Sequence, residues 1–204
     1  MEHTRRARRH KVKFILFEGP DKTGKTTAIN QLCSLINLGE TEEFGNKYHA
    51  VVLNKPYSCP GDDRLQFKRN FIDASLHMMY GSMHALEDDT PVDNVVVFID
   101  RCHISEYVYS ELFNRSLSIW LSVLDLFFMT HDTMLVQCVN RNVNDTIRKF
   151  EYDGTIDGLS FMEYKRSIVL FEKYCSASWV NYKIKYSYDR FDDLVGSVSD
   201  FLAG

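Results

Sequence analysis

The segment Gly19-Pro-Asp-Lys-Thr-Gly-Lys-Thr-Thr27 constrains this chain more than any other stretch. It fits G-x-x-x-x-G-K-[ST], the phosphate-binding P-loop. Gly19 and Gly24 permit backbone turns that a Cβ would block. Successive N–H groups then converge on one concavity that suits the β-phosphate of a nucleotide. Lys25 brings a cation to the β- and γ-phosphates, and the Thr26 hydroxyl is a ligand type for Mg²⁺. Asp21, Lys22, Thr23 and Thr27 belong to the same candidate nucleotide site. The flanks fit: Phe14-Ile15-Leu16-Phe17 is a short apolar run of buried-strand type, and apolar residues recur at helical spacing after Thr27. Strand, loop and helix in that order are the context the motif requires.

The 204 residues suffice for one well-buried α/β domain. A net charge of −4 gives the body no nucleic-acid-binding balance. The five cysteines (Cys33, Cys59, Cys102, Cys138 and Cys175) are scattered, with no C-x-x-C pair, which points to reduced thiols. His77, His84, His103 and His131 show no metal-ligand spacing. The longest apolar stretch, within 119–129, contains Asp125 and is too short to span a bilayer. No signal-peptide core follows the start. The expected location is the cytoplasm, or the host cytoplasm for a viral protein.

Residues 1–11 include Arg5, Arg6, Arg8, Arg9 and Lys11 and read as a solvated arm. The alternative is contact with a phosphate backbone, and hence DNA. Residues 12–204 read as one domain. Strands are expected at 13–17, 49–53, 94–99, 133–139 and 182–186. Helices are expected at 25–37, 64–86, 103–113, 117–130, 142–150, 161–177 and 191–203. Residues 39–47 read as a polar loop, and Gly81 weakens its helix without ending it. Alternating strands and helices imply a parallel sheet covered on both faces. Right-handed crossovers then gather the loops after the first three strands at one sheet edge, where ligands bind. The P-loop, the loop at Lys55-Pro56 and Asp100-Arg101 therefore converge.

The third strand ends abruptly in Asp100-Arg101. Beside a P-loop, Asp100 is placed to work near Mg²⁺ or the acceptor, and Arg101 to hold an acceptor phosphate bidentately. With Phe17-Glu18 before the loop and Ser105 after the Asp-Arg pair, the chain resembles the thymidylate kinases and the related deoxynucleoside monophosphate kinases. That family commonly shows F-E-G-x-D-[RK]-x-G-K-[ST]-T and D-R-[YFS]-x-x-S. The resemblance spans about 12–203 loosely, with its specific part in these two motifs.

The resemblance implies a three-layer α/β/α fold with a five-stranded parallel sheet in the order 2-3-1-4-5. It also implies a LID segment around 141–160. ATP and Mg²⁺ would be the cofactors, with Thr26 and Asp100 on the metal side. Asp21 would contact the acceptor's sugar 3′-hydroxyl, Lys22 the transferring phosphoryl group, and Asp100 and Arg101 the acceptor phosphate and metal-linked waters. Phe67 and Phe71 are candidates to pack on the base, though their spacing suits core packing equally. Arg141 and Arg148 are LID candidates for stabilising the γ-phosphoryl charge, of which one suffices.

The sequence also departs from the family. The helix after Pro56 lacks the usual late arginine; Lys68 and Arg69 come early, leaving Arg69 as a candidate acceptor contact. Cys102 replaces the common aromatic or serine, and Glu151-Tyr-Asp-Gly-Thr-Ile-Asp157 is acidic. These differences suggest a divergent branch of phage or large-virus type with an altered acceptor.

The leading expectation is ATP- and Mg²⁺-dependent transfer to a pyrimidine deoxynucleoside monophosphate such as dTMP, in nucleotide biosynthesis. The alternative is a hydroxyl acceptor, either a deoxynucleoside or 5-hydroxymethyluracil in DNA, with Asp100 or Glu18 as base. A nucleotide-binding switch would need a water-positioning Gln or an N-K-x-D-type base motif, and neither is present. Thymidylate kinases are often homodimers, so the apolar helices of 107–129 are either an interface or ordinary core.

Overall fold

A computed structural model describes residues 12–39, 44, 48–54, 74, 76–84, 94–140 and 159–204. The apolar run before the P-loop forms β1 (Val12–Glu18), which is buried throughout. It lies in the middle of a five-stranded sheet with β2 (His49–Asn54), β3 (Val95–Asp100), β4 (Thr133–Cys138) and β5 (Tyr182–Tyr186). The spatial order is β2-β3-β1-β4-β5 and every pairing is parallel. This is the order expected from the family resemblance.

Helices α1 (Lys25–Leu38), α2 (76–84), α3 (His103–Leu112), α4 (Trp120–Thr130), α5 (Phe161–Ala177) and α6 (Phe191–Ala203) cover the two faces. Alternation along the strands divides the core in two. Phe14 and Leu16 face one cluster with Val95, Val97 and Ile99, completed by residues of α2, α3, α4 and α5. Ile15 and Phe17 face the other with Val96 and Phe98, completed by α1 and α6. Central strands buried on both faces have no polar face to show, which is why their sequences read as unbroken apolar runs.

One central charge serves the frame. Lys13 is buried, and its ammonium donates to the carbonyls of Phe201 at 2.6 Å and Leu202 at 3.1 Å. Those are last-turn carbonyls of α6, which have no partner within the helix and carry its negative dipole end.

The expected boundaries shift in three informative places. The third strand starts at Val95 because Asn94 has φ 62°, outside the strand region, and it runs one residue further, through Asp100. The helix expected from 117 begins at Trp120, where the Ser118 hydroxyl oxygen accepts the Trp120 N–H at 3.2 Å. The expected polar loop at 39–47 contains Phe44, which is buried in the α1–α6 cluster. The helices at 161–177 and 191–203 and the strand at 182–186 have the expected bounds. Gly81 lies inside α2 without ending it. The apolar helices near 107–129 are partly core: Leu121, Leu124, Phe127 and Phe128 are buried, while Ile119 and Leu126 are exposed.

Candidate active site

Sheet register assembles the site. Phe17 of β1 lies opposite Asp100 of β3, and Asp100 in turn lies opposite Asn54 of β2. The P-loop therefore leaves β1 directly beside the Asp-Arg motif. The ladder continues one step, with Arg101 N–H donating to the Phe17 carbonyl at 3.0 Å.

The loop needs its first glycine for space as well as conformation. Gly19 has φ 148°, and a Cβ there would sit 2.3 Å from the Cys138 carbonyl oxygen of β4. Gly24, at φ 80°, caps α1, so the helix N-terminus opens onto the loop. Aligned N–H dipoles at such a terminus favour an anion. Lys25 is 6% exposed, and its ammonium donates to the carbonyls of Gly19 at 3.0 Å and Pro20 at 2.6 Å. Thr23 also donates to the Pro20 carbonyl, at 2.8 Å. The cation thus sits over the loop it would serve. Lys22 is exposed and holds φ 61°, a strained conformation for a residue with a side chain.

Thr26 donates to Asp100 Oδ2 at 2.5 Å, bringing a hydroxyl and a carboxylate together at the mouth of the loop. Hard oxygen donors of this kind suit Mg²⁺, which commonly takes one or two protein carboxylates and completes its shell with phosphate and water. No cluster of three or more His, Cys, Asp or Glu residues that could hold a metal occurs among the described residues. The pair fits a phosphate-completed metal site, not an all-protein cage.

Asp21 and Arg101 form an ion pair across the site. Tyr109 of α3 joins both: its hydroxyl accepts from Arg101 Nη1 at 2.8 Å and donates to Asp21 Oδ2 at 3.2 Å. Tyr164 of α5 donates to the Asp21 carbonyl at 3.1 Å. Arg101 holds φ 66°, so this guanidinium is presented by a strained turn. Asp21 and Arg101, separated by eighty residues of sequence, are thus brought together.

Glu18 departs from expectation. It is 0% exposed; Oε1 accepts the Cys102 N–H at 2.7 Å and Oε2 accepts the Ser105 hydroxyl at 2.5 Å. A carboxylate sealed in this way latches β1 to the start of α3. It is not placed to serve as the base considered for a hydroxyl acceptor. Burial also pushes the neighbouring Cys138 thiol up to about 12, so it is no nucleophile at neutral pH.

The sequence reading missed Tyr109 and Tyr164. Tyr109 had a usable signal: it stands four residues after Ser105, on the same stripe of one helix. Tyr164 had only its place in the first turn of α5. Phe67, Phe71, Arg69, Arg141, Arg148, the Lys55-Pro56 loop, most of the LID segment, Cys59 and the basic arm lie outside the described residues.

No helix among the described residues is long and apolar enough to cross a membrane. No curated protein sequence matches the chain. Solved structures resemble it at low identity. A thymidylate kinase from Ehrlichia chaffeensis has a TM-score of 0.59 at 17% identity, over 94% of this chain and 99% of that one. A thymidylate kinase from Candida albicans has a TM-score of 0.58 at 12% identity, over 95% and 92%. The YorR protein from Bacillus subtilis, solved in complex with phosphorylated GDP, has a TM-score of 0.57 at 14% identity, over 91% and 95%. A family model described as an AAA domain matches residues 14–157. The chain therefore belongs to the AAA domain family, and its P-loop is set in the fold of the thymidylate kinases.

Proposed function

We propose that the protein is a nucleotide kinase that transfers the γ-phosphoryl group of ATP to a pyrimidine deoxynucleoside monophosphate of the dTMP type. The observation that carries this reading is the Asp21–Arg101–Tyr109 group beside the P-loop. A guanidinium held by a carboxylate and a phenol, next to a phosphate-binding loop, is suited to a second phosphate. Asp21 and Tyr109 supply polar atoms for the sugar that carries it.

Each residue has an electrostatic task. The loop N–H groups and Lys25 hold the donor phosphates. Lys25 and Lys22 counter charge on the equatorial oxygens of the transferring group, where the protein has little covalent work to do. Arg141 or Arg148 adds to this from the LID. Thr26 and Asp100 would hold Mg²⁺, which supplies charge neutralisation when bound. Arg101 orients the acceptor phosphate in line, and fixing that geometry removes much of the remaining barrier.

A phosphate acceptor is already an anion and needs no strong base. This favours a monophosphate over a hydroxyl acceptor, because Glu18 is sealed and Asp100 is engaged with Thr26.

ADP release measured across deoxynucleoside monophosphates, nucleosides and modified DNA tests the reading. Turnover should require a monophosphate, and Lys25→Ala should lower it by roughly 10²-fold or more. Arg101→Ala should damage monophosphate turnover severely. ADP release that ignores the acceptor, or that needs only a nucleoside or DNA, would sink the proposal.

A further inference from the structure

The turn that carries Asp21 and Lys22 holds an orientation that its own residues do not prefer. The two are the central residues of a tight turn between Pro20 and Thr23. Lys22 takes φ 61° and Asp21 a negative φ. A negative φ followed by a positive one is the pattern of a type II turn, whose second central position favours glycine. Rotating the central peptide by about half a turn gives a type I turn, which most residues accept. Lysine at this position therefore biases the turn toward the reversed peptide, and a contact from outside the turn must hold it as it stands.

Tyr164 of α5 makes that contact. Its hydroxyl donates to the Asp21 carbonyl at 3.1 Å, and this carbonyl belongs to the central peptide of the turn. Tyr164 is 1% exposed and packs with Leu159, Phe161, Tyr109 and Leu112, which fixes its ring. The capping box at Ser160 sets the helical turn from which it projects. The other contacts of the loop do different work. Arg101 and Tyr109 hold the Asp21 carboxylate, and Thr23 and Lys25 bind the Pro20 carbonyl. Those groups flank the central peptide and keep their places when it reverses.

Peptide orientation decides which dipole the loop shows to a phosphate. In a trans peptide the N–H points opposite to the C=O. With the Asp21 carbonyl drawn to α5, the Lys22 N–H points away from α5. Reversed, the loop would lose a donor for an anion and gain an oxygen that repels it. Resting on the kinase reading above, we propose that Tyr164 is a positioning residue for the nucleotide. Its hydroxyl fixes the Asp21–Lys22 peptide so that the Lys22 N–H joins the donors that hold the β-phosphate. Tyr164 acts through the loop backbone, not by contact with substrate.

Calorimetric titration of ADP tests this without an acceptor. Tyr164→Phe keeps the ring and removes the hydroxyl. It should weaken ADP binding by about tenfold, the scale of one lost hydrogen bond. Glycine adopts positive φ freely, so in a Lys22→Gly background the loss should shrink to about twofold or less. In a Lys22→Ala background the lysine charge is also gone but a Cβ remains, and the loss should stay at about tenfold. Weakening by the same factor in both backgrounds overturns the proposal, because a purely structural tyrosine is indifferent to φ at residue 22. So does a Tyr164→Phe protein that binds ADP as tightly as the wild type. Both results leave the kinase reading standing, since the wild-type protein binds ADP in each. A wild-type protein that binds no ADP overturns the proposal and the kinase reading together.

Discussion

Glu18 shows how far one side chain can commit a site. Its two oxygens accept from Cys102 N–H and from the Ser105 hydroxyl, so a residue before the P-loop fixes the chain one and four residues beyond Arg101. Glu18→Gln keeps the shape but offers one acceptor oxygen and an NH₂ that can accept neither hydrogen bond. The variant should lose about 1–3 kcal/mol of stability, the cost of leaving a buried donor without its acceptor. Its acceptor KM should rise, because Arg101 stands one residue from the lost bond. Urea unfolding alongside acceptor kinetics checks both, and unchanged stability would show that Glu18 is no latch. At this scale the sequence was uneven. Gly19, Lys25, Thr26 and Asp100-Arg101 were legible because motif spacing encodes backbone geometry. Tyr109 is marked only by its place one turn after Ser105, and the role of Glu18 was not legible, because it depends on partners far along the chain.

Elements were more legible than contacts. β1, β3 and β4 are buried on both faces and read as apolar runs, and α5 and α6 were bounded where helical spacing begins and stops. Errors arose where a local polar contact competes with the helix, as Ser118 does before α4, or where a loop buries one aromatic, as at Phe44. The start of α5 shows a cap doing positional work. Ser160 accepts the Glu163 N–H, while Glu163 Oε2 accepts the Ser160 N–H at 2.8 Å, a reciprocal capping box. The Ser160 hydroxyl also donates to Oε2 at 2.6 Å, and this bond together with the one from the Ser160 N–H holds the Glu163 carboxyl below the usual carboxylate range. One residue on, Tyr164 touches the P-loop through the Asp21 carbonyl. Ser160→Ala should cost about 1 kcal/mol in urea unfolding. It should also lower hydrogen-exchange protection in the first turn of α5 while the sheet keeps its own. Equal loss of protection in β1 and β4 would refute the local account.

At the scale of the whole molecule, the joint between α3 and α4 makes stability depend on pH. His103 is fully buried, stacked on Phe128 at 5.2 Å, with Nε2 2.9 Å from Asp125 Oδ1. The two charges are within ion-pair distance, although the ring N–H is off the line of a good hydrogen bond. Asp125 Oδ2 also accepts from Tyr107 at 3.1 Å. Burial alone would push the imidazole down from its ordinary 6.5; Asp125 and Cys102 outweigh it and raise the group to about 10. The folded state therefore holds this proton more tightly than the unfolded state. The stabilisation is complete below pH 6.5 and is lost as pH rises towards 10. Buried thiols add loss in the same direction above their ordinary 9.0, since burial raises Cys33 to about 11 and Cys138 to about 12. Urea unfolding of the wild-type protein should show stability falling steadily from pH 6.5 to 9, before the thiols take part. His103→Gln should be less stable at pH 6.5, flat to pH 9, and should fall with the wild type beyond that. A wild-type profile that is flat between pH 6.5 and 9 would mean that His103 is buried neutral and that Asp125 does not hold its proton.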